Sequence, residues 1–172
     1  MKKILIALII SLTFSSNIYA DDNNTMSMTD TDGNTYTVRG TDNGLSIDEF
    51  QGKVIFLEFF GTRCPACLKG IPHLINLQNK FKDQLVIVSF EVQRHNNATV
   101  KAFAQERGIN YITIANENAG DVVNYIARRA QWKGAIPFMV ALDTKSEVQF
   151  VQVGMLPEDS LEQLVKDLSE TK

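Results

Sequence analysis

The sequence predicts an α/β protein whose central mixed β-sheet is flanked by helices, with a β-hairpin added at the N-terminal end. Two nearly continuous apolar runs, Val54–Phe60 and Leu85–Phe90, have the composition of strands that are buried on both faces. A helical stretch follows each run, and this alternation favours parallel pairing of the strands. Phe138–Leu142 and Val148–Val153 are strand-like segments on either side of a short polar turn, so they predict an antiparallel hairpin.

The first twenty residues have the pattern of an export signal. Two lysines precede an apolar stretch from Ile4 to Leu12, and a polar stretch then ends on the small residue Ala20. This arrangement predicts a cleaved Sec-type signal peptide over residues 1–20. A spanning helix would need about 20 mostly apolar residues, and this apolar stretch is too short. Position 21 is Asp, so no cysteine could carry a lipid there. We therefore expect a periplasmic protein without a stable membrane anchor, formed by one domain over residues 21–172.

The N-terminal hairpin is predicted from turn chemistry. Residues 31–34 read Thr-Asp-Gly-Asn and lie between Met26–Met28 and Thr35–Val38, two short segments of strand-like composition. Gly52 and Lys53 then lead into the first buried strand. These signals place one hairpin before the central sheet.

Helices are predicted from periodicity and from residues that begin or end helices. Pro65 is acceptable in a first helical turn because its missing N–H would have no intrahelical partner, and Pro72 is expected to kink the same helix. Gly108 ends the second helix. The predicted helices span about 64–80, 98–107, 121–132 and 157–168, and a short strand is predicted over about 111–114.

Composition narrows the class of partner. The chain has 172 residues, 44% of them hydrophobic, with 17 Lys and Arg against 20 Asp and Glu. The formal net charge is −3 and no basic cluster is visible. Because phosphate binding requires a concentrated basic surface, these values argue against nucleic acid as the main partner.

The motif that carries chemistry is Cys64-Pro65-Ala66-Cys67, which contains both cysteines of the chain. A disulfide closing so small a ring restrains the unfolded chain very little, so stability is a poor reason for the pair. The motif lies between a buried strand and a helix, where free N–H groups and the helix dipole favour a thiolate at Cys64. Cys67, one turn later, is expected to be shielded. We therefore expect Cys64 to attack disulfides and Cys67 to resolve the mixed disulfide.

Two other interpretations of the pair stay open at this point. The cysteines could form an inert disulfide, or they could supply half of a zinc site with His73, His95 or carboxylates as further ligands. Otherwise His73 is expected to be a partly exposed helix residue and His95 a loop residue.

The segment FLEFFGTRCPAC resembles thioredoxin-fold thiol-disulfide oxidoreductases, and its Gly61-Thr62 approach is similar to the TlpA/ResA branch of exported proteins. Pro72, five residues after the second cysteine, and Ile136-Pro137, before the last pair of strands, agree with that pattern. The resemblance covers nearly all of the predicted mature chain and implies the thioredoxin fold.

The resemblance also implies roles for residues near the motif. Pro137 would be a cis-proline that faces the dithiol, and the backbone of Ile136 would pair with an extended substrate peptide. Arg63 and Pro65 flank the first cysteine and would contact the substrate. Arg63 departs from the family pattern, which usually has tryptophan there, so substrate preference is left open.

Glu58 occupies the position, six residues before the first cysteine, where thioredoxin has a buried acid that exchanges protons with the second cysteine. Burial there would raise the pKa of the carboxyl group. A glutamate that reaches water at the end of the strand is the alternative. The TlpA/ResA branch often has Asn at this position and typically has Glu where this chain has Gly70, so the acid is expected to have changed places.

The leading hypothesis for function is an exported thiol-disulfide oxidoreductase that acts on protein thiols and disulfides. The resemblance implies reduction of protein disulfides or of haem-attachment cysteines in apocytochromes c, with a membrane redox protein as electron donor and without a cofactor or metal. A disulfide oxidase or isomerase is an alternative, because Pro65 also occurs in oxidising relatives. Two further alternatives are a Sco-like copper metallochaperone that uses His95 and a catalytically silent binding module.

Overall fold

The computed structural model describes residues 24–170, and within that range eight β-strands form two sheets. The predicted signal peptide over residues 1–20 lies outside the described residues. The strands are β1 (Thr25–Thr29), β2 (Thr35–Gly40), β3 (Leu45–Ile47), β4 (Val54–Phe60), β5 (Leu85–Glu91), β6 (Ile112–Ile114), β7 (Phe138–Leu142) and β8 (Val148–Val153). The helices are α1 (Pro65–Lys80), α2 (Asn97–Arg107), α3 (Val122–Arg129) and α4 (Glu158–Ser169), with short 3-10 helices at Asp48–Phe50 and Asn116–Asn118.

The larger sheet has five strands in the order β6-β5-β4-β7-β8. Strands β4, β5 and β6 run parallel, whereas β7 is antiparallel to both β4 and β8. The mixed sheet and the C-terminal hairpin predicted from the sequence are therefore confirmed. The bounds of β4, β7 and β8 agree with the prediction residue for residue.

Strand β4 lies at the centre of this sheet, and all seven of its residues are buried. Successive side chains of a strand point to opposite faces, so β4 contributes to two hydrophobic clusters. Phe56 belongs to a cluster with side chains of α1 and α4. Leu57 belongs to a cluster with side chains of α3 and of the smaller sheet. The sheet is thus covered on both faces, which explains why β4 is apolar along nearly its whole length.

The smaller sheet contains the predicted N-terminal hairpin, β1 and β2, together with a third antiparallel strand, β3. The turn between β1 and β2 is held by Asp30, whose carboxylate accepts the backbone N–H groups of Asp32 and Asn34 at 2.9 Å. Strand β3 has three residues, which is too short to produce a periodic sequence signal. The hydroxyl of Tyr125 in α3 donates to the carbonyl of Gly44 at 2.9 Å and connects this sheet to the rest of the fold.

The largest difference from the predicted helices is at the end of α3, which stops at Arg129 instead of continuing to residue 132. Gln131 has a positive φ of 53°, which breaks the helical geometry. Trp132 then turns inward and packs edge-on against Phe59, with ring centroids 4.9 Å apart. Trp132 therefore contributes to the core from outside the helix. Pro72 lies inside α1 as expected. None of the helices within residues 24–170 has the length and apolar composition of a membrane span.

Helix α2 reaches the end of the sheet at which the cysteines lie. Its Val100 and Phe103 pack against Phe60, the last residue of β4, in a cluster that also contains both cysteines. The helix begins after Asn96, whose side-chain oxygen accepts the backbone N–H of Thr99 at 2.9 Å. This contact satisfies one of the N–H groups that a helix N-terminus leaves without an intrahelical partner.

We expect Asn96→Ala to lower the free energy of unfolding by about 1 kcal/mol, because alanine cannot accept that N–H. Urea denaturation of the oxidised protein measures the change. Asn96→Ser is the matched control, since serine also caps helices, and it should remain close to the unsubstituted protein. Equal stability of the alanine variant and the unsubstituted protein would contradict the role of this cap.

Candidate active site

The two cysteines lie where β4 passes into α1, and they are joined by a disulfide with their Cα atoms 5.2 Å apart. Cys64 is the N-cap of α1, and its sulfur accepts the backbone N–H of Cys67 at 3.2 Å. Pro65 is the first residue of the helix, a position where proline costs no hydrogen bond. The predicted arrangement, with the first sulfur at a helix N-terminus, is therefore present.

The two sulfurs differ in their access to the surface. Cys64 is 8% exposed and its neighbours Arg63 and Pro65 are exposed, whereas Cys67 is 1% exposed and packs inside the fold. Reduction of the disulfide would leave Cys64 next to the positive end of the helix dipole, which stabilises a thiolate there. The geometry favours Cys64 over Cys67 for contact with another molecule.

Ile136 and Pro137 lie beside the disulfide, and the peptide bond between them is cis, as the resemblance implied. The sulfur of Cys64 is 3.8 Å from the carbonyl oxygen of Ile136. Pro137 is buried and lines a small cavity together with Cys67. The backbone that precedes β7 thus forms one wall of the dithiol site.

Glu58 lies in the centre of β4 and is 5% exposed, so the alternative of a glutamate that reaches water is wrong. Its carboxyl group accepts one hydrogen bond, from the hydroxyl of Ser89 at 2.6 Å. Burial raises the pKa of Glu58 to about 7, and the hydrogen bond from Ser89 opposes part of this increase. Glu58 lines the same cavity as Cys67. A carboxyl group that titrates near neutral pH therefore lies on the buried side of the dithiol.

Ser89 and Tyr111 extend this polar region across the sheet, and sequence reasoning missed both. Ser89 is paired with Glu58 in the register of β4 and β5. Burial raises the pKa of the Tyr111 hydroxyl, the nearby charge of Glu58 acts in the same direction, and a hydrogen bond with Ser89 opposes it. The available signal was a single serine in the apolar run of β5.

Gly70 lies on the buried side of α1 and lines the cavity that contains Glu58 and Cys67. The cavity has a volume of about 20 Å³, which is room for one water molecule. Among the described residues that line it, Glu58 is the one carboxylic acid. The carboxyl group of this cavity therefore comes from β4, and position 70 of α1 supplies no acid.

The loop that follows β5 supports the residues before Cys64. The side-chain oxygen of Gln93 accepts the backbone N–H of Arg63 at 3.0 Å. The carboxylate of Glu91, which is fully buried, accepts the backbone N–H groups of Gln93 and His95 at 2.9 Å. Sequence reasoning missed Glu91 and Gln93, because neither belongs to a motif.

The sequence left His73 and His95 open as metal ligands. Nδ1 of His95 lies 2.9 Å from the Glu91 carboxylate and 3.3 Å from the hydroxyl of Thr62, as part of the loop just described. His73 is a half-buried residue of α1. Within residues 24–170, no group of three or more His, Cys, Asp or Glu side chains is placed to hold a metal ion.

Comparison with known proteins agrees with this geometry. The thiol-disulfide oxidoreductase ResA of Halalkalibacterium halodurans is 24% identical over 122 residues, which are 71% of this chain and 66% of that protein. The chain therefore spans just under two thirds of this relative's length. Two solved structures share the fold. A thioredoxin-family thiol:disulfide interchange protein from Chlorobium tepidum has 20% identity and a TM-score of 0.64, and covers 85% of this chain and 94% of its own. StoA from Bacillus subtilis has 16% identity and a TM-score of 0.60, and covers 81% and 94%.

These likenesses confirm the thioredoxin fold and the resemblance to the TlpA/ResA branch that the sequence predicted. The N-terminal hairpin is part of a three-stranded sheet, as described above. The family model for Redoxin matches residues 19–168. Because this match spans most of the chain, the chain belongs to the Redoxin family.

Proposed function

We propose that the protein is a periplasmic thiol-disulfide oxidoreductase that exchanges disulfides with protein substrates through Cys64 and Cys67, after removal of residues 1–20. The observation that carries the proposal is the pair itself, a disulfide at a helix N-terminus with one sulfur near the surface and the other buried. A disulfide that has one sulfur close to the surface, at the positive end of a helix, can be reduced and formed again without unfolding of the chain. An inert staple would need neither feature.

In the reducing direction, the Cys64 thiolate attacks one sulfur of a substrate disulfide. A bond forms between Cys64 and the substrate, and the other substrate sulfur leaves as a thiolate that takes a proton. Cys67 then loses its proton and attacks the sulfur of Cys64. This step forms the Cys64–Cys67 disulfide seen in the structure and releases the second substrate thiol. The substrate gains two electrons, and a membrane redox protein would return two electrons to the cysteine pair.

Glu58 is the group we assign to the second step. It lines the same cavity as Cys67, and burial gives it a pKa of about 7. A base with a pKa near the working pH is well matched to removing a thiol proton. Glu58 would accept the proton of Cys67, through a water molecule in the cavity, while Cys67 attacks the mixed disulfide.

Substrate binding is assigned to residues around Cys64, whose sulfur is the nearer of the two to the surface. Arg63 and Pro65 are exposed on one side of Cys64, and Ile136 and Pro137 lie on the other. The backbone of Ile136 would pair with an extended peptide, so that the substrate disulfide lies over Cys64. Arg63 adds a positive charge beside the reactive sulfur and would favour substrates with acidic residues near their cysteines.

We further propose that the protein works as a reductase, with apocytochromes c among its substrates. The equilibrium potential of the cysteine pair tests the direction. A value near −270 mV, about that of thioredoxin, supports reduction, and a value near −120 mV, about that of a strong oxidant, supports the oxidase alternative. An insulin-reduction assay with dithiothreitol tests the activity itself, and a protein that does not accelerate the reaction would be a silent binding module.

In the reduced protein, we expect iodoacetamide to alkylate Cys64 at least tenfold faster than Cys67 at neutral pH, because Cys64 is less deeply buried than Cys67 and lies at the helix terminus. Mass spectrometry of quenched samples measures both rates, and denatured protein is the control in which the rates should become similar. Cys64→Ser should abolish insulin reduction, and Cys67→Ser should accumulate mixed disulfides. Equal alkylation of the two cysteines in the folded protein would refute the assignment.

Glu58→Gln should slow the resolution of the mixed disulfide at pH 7 by about 100-fold, the lower end of the usual contribution of a general base. Alkylation of Cys64 should change little. Stopped-flow measurement across pH 5–9 should also show that the rise in rate near pH 7 disappears. Ser89→Ala is the matched control, since it keeps the carboxyl group but removes a hydrogen bond that lowers the pKa of Glu58, so its profile should move to higher pH. An unchanged profile in the glutamine variant would remove Glu58 from the mechanism.

The same carboxyl group should make stability depend on pH. Its pKa is about 7 in the folded protein and near 4.5 when unfolded, so between these values the folded state keeps a proton that the unfolded state releases. The free energy of unfolding of the oxidised protein should therefore fall as pH rises from about 4.5 to about 7, by roughly 3 kcal/mol at most.

Urea denaturation at pH 4.5 and pH 8 tests this expectation. The difference in free energy of unfolding between Glu58→Gln and the unsubstituted protein should favour the variant more at pH 8 than at pH 4.5, because glutamine carries no charge to bury. Glu106→Gln, at an exposed position of α2, should change stability little at either pH. If the glutamine variant exceeded the unsubstituted protein in stability by the same amount at both pH values, burial of the charged form of Glu58 would have no energetic cost.

A further inference from the structure

The cavity shared by Glu58 and Cys67 has one wall that faces solvent. Ten residues line it, and seven of them are buried. Gly154 and Leu156 are half-buried, and Met155 alone among the ten is exposed, at 43%. Met155 is therefore the residue of the cavity lining that is most open to the surrounding water.

The Met155 side chain lies next to Gly70 of α1. Met155 lies in the segment between β8 and α4, and this segment is held against the dithiol site by the N–H of Gly154, which donates to the carbonyl of Pro137 at 2.8 Å. A Cβ atom built on Gly70 would be 3.6 Å from Cγ and 3.8 Å from Sδ of Met155. The thioether thus lies over the bare backbone of α1, and its flexible, unbranched chain fills a gap that a glycine leaves.

We propose that Met155 covers the solvent side of the cavity and limits the access of bulk water to Glu58 and Cys67. The proposal rests on the proposed function, in which Glu58 accepts the proton of Cys67. In this role Met155 would act through Glu58, so it is a positioning residue.

The physical consequence follows from the cause of the unusual titration of Glu58. Burial is the largest influence on its pKa, and the one hydrogen bond from Ser89 offsets only part of it. A shorter, polar side chain at position 155 would admit water to the cavity, and water stabilises the charged carboxylate. A branched apolar side chain of similar volume would keep water out.

The test is a titration of the Glu58 carboxyl group by carbon-detected NMR in the oxidised full-length protein, in which the cysteines do not titrate. Met155→Ser should move the pKa of Glu58 from about 7 toward its ordinary value of 4.5, and Met155→Leu should leave it near 7. Val153→Ser is the matched control, because Val153 is 56% exposed in the preceding strand but does not line the cavity. It should also leave the titration unchanged.

Three results would overturn the proposal: a serine variant at position 155 that titrates like the unsubstituted protein, a leucine variant that shifts as far as serine does, or an equal shift in Val153→Ser. The titration requires no substrate, so it separates this inference from the proposed function. If the unsubstituted protein fails to reduce insulin, the oxidoreductase assignment fails while the titration still decides whether Met155 closes the cavity. If insulin is reduced but Met155→Ser leaves the pKa of Glu58 near 7, this inference alone fails.

Discussion

The complete burial of β4 is the constraint on which the rest of the structure depends. A strand that is covered on both faces requires a layer of helices on one side and a second layer on the other, and α1, α3, α4 and the smaller sheet supply these layers. The same burial places Glu58 away from water and brings the chain to the surface only after Phe60. Cys64 therefore appears where the strand ends and the next helix begins. One buried strand thus produces both the low-dielectric site for a carboxyl group and the location of Cys64.

Two buried carboxylates near this site have different surroundings and so different uses. Glu91 accepts two backbone N–H groups and contacts the ring of His95, so its oxygens are well supplied with donors. Such a carboxylate holds a loop in place. Glu58 receives one hydrogen bond, from Ser89, and faces a cavity with room for one water molecule. A buried acid with few donors loses its proton less readily than an exposed one, and this raises its pKa toward neutral pH, where a proton acceptor is most effective.

The sequence was sufficient to predict the features that depend on neighbours in the chain. Apolar runs predicted β4, β7 and β8 with correct bounds, and the proline after Cys64 predicted the start of α1. Features that depend on distant residues were missed. Ser89 lies 31 residues from Glu58, and Gln93 lies 30 residues from Arg63, and no local pattern announces either contact. The end of α3 was predicted wrongly because Trp132 contributes to the core from outside the helix.

The N-cap position of Cys64 bears on how the protein would meet a partner protein in each redox state of the cysteine pair. The sulfur to which we assign disulfide exchange also accepts the backbone N–H of Cys67, in the first turn of α1. Oxidation and reduction of the pair would therefore change the bonds of two sulfur atoms within a four-residue segment, while the helix behind them remains anchored by Leu74 and Leu77 in the core. Structural change during the redox cycle can stay local. A partner protein would then meet nearly the same surface in both redox states. The chemical state of the Cys64 sulfur, and not a change in the shape of the surface, would decide whether the partner remains bound.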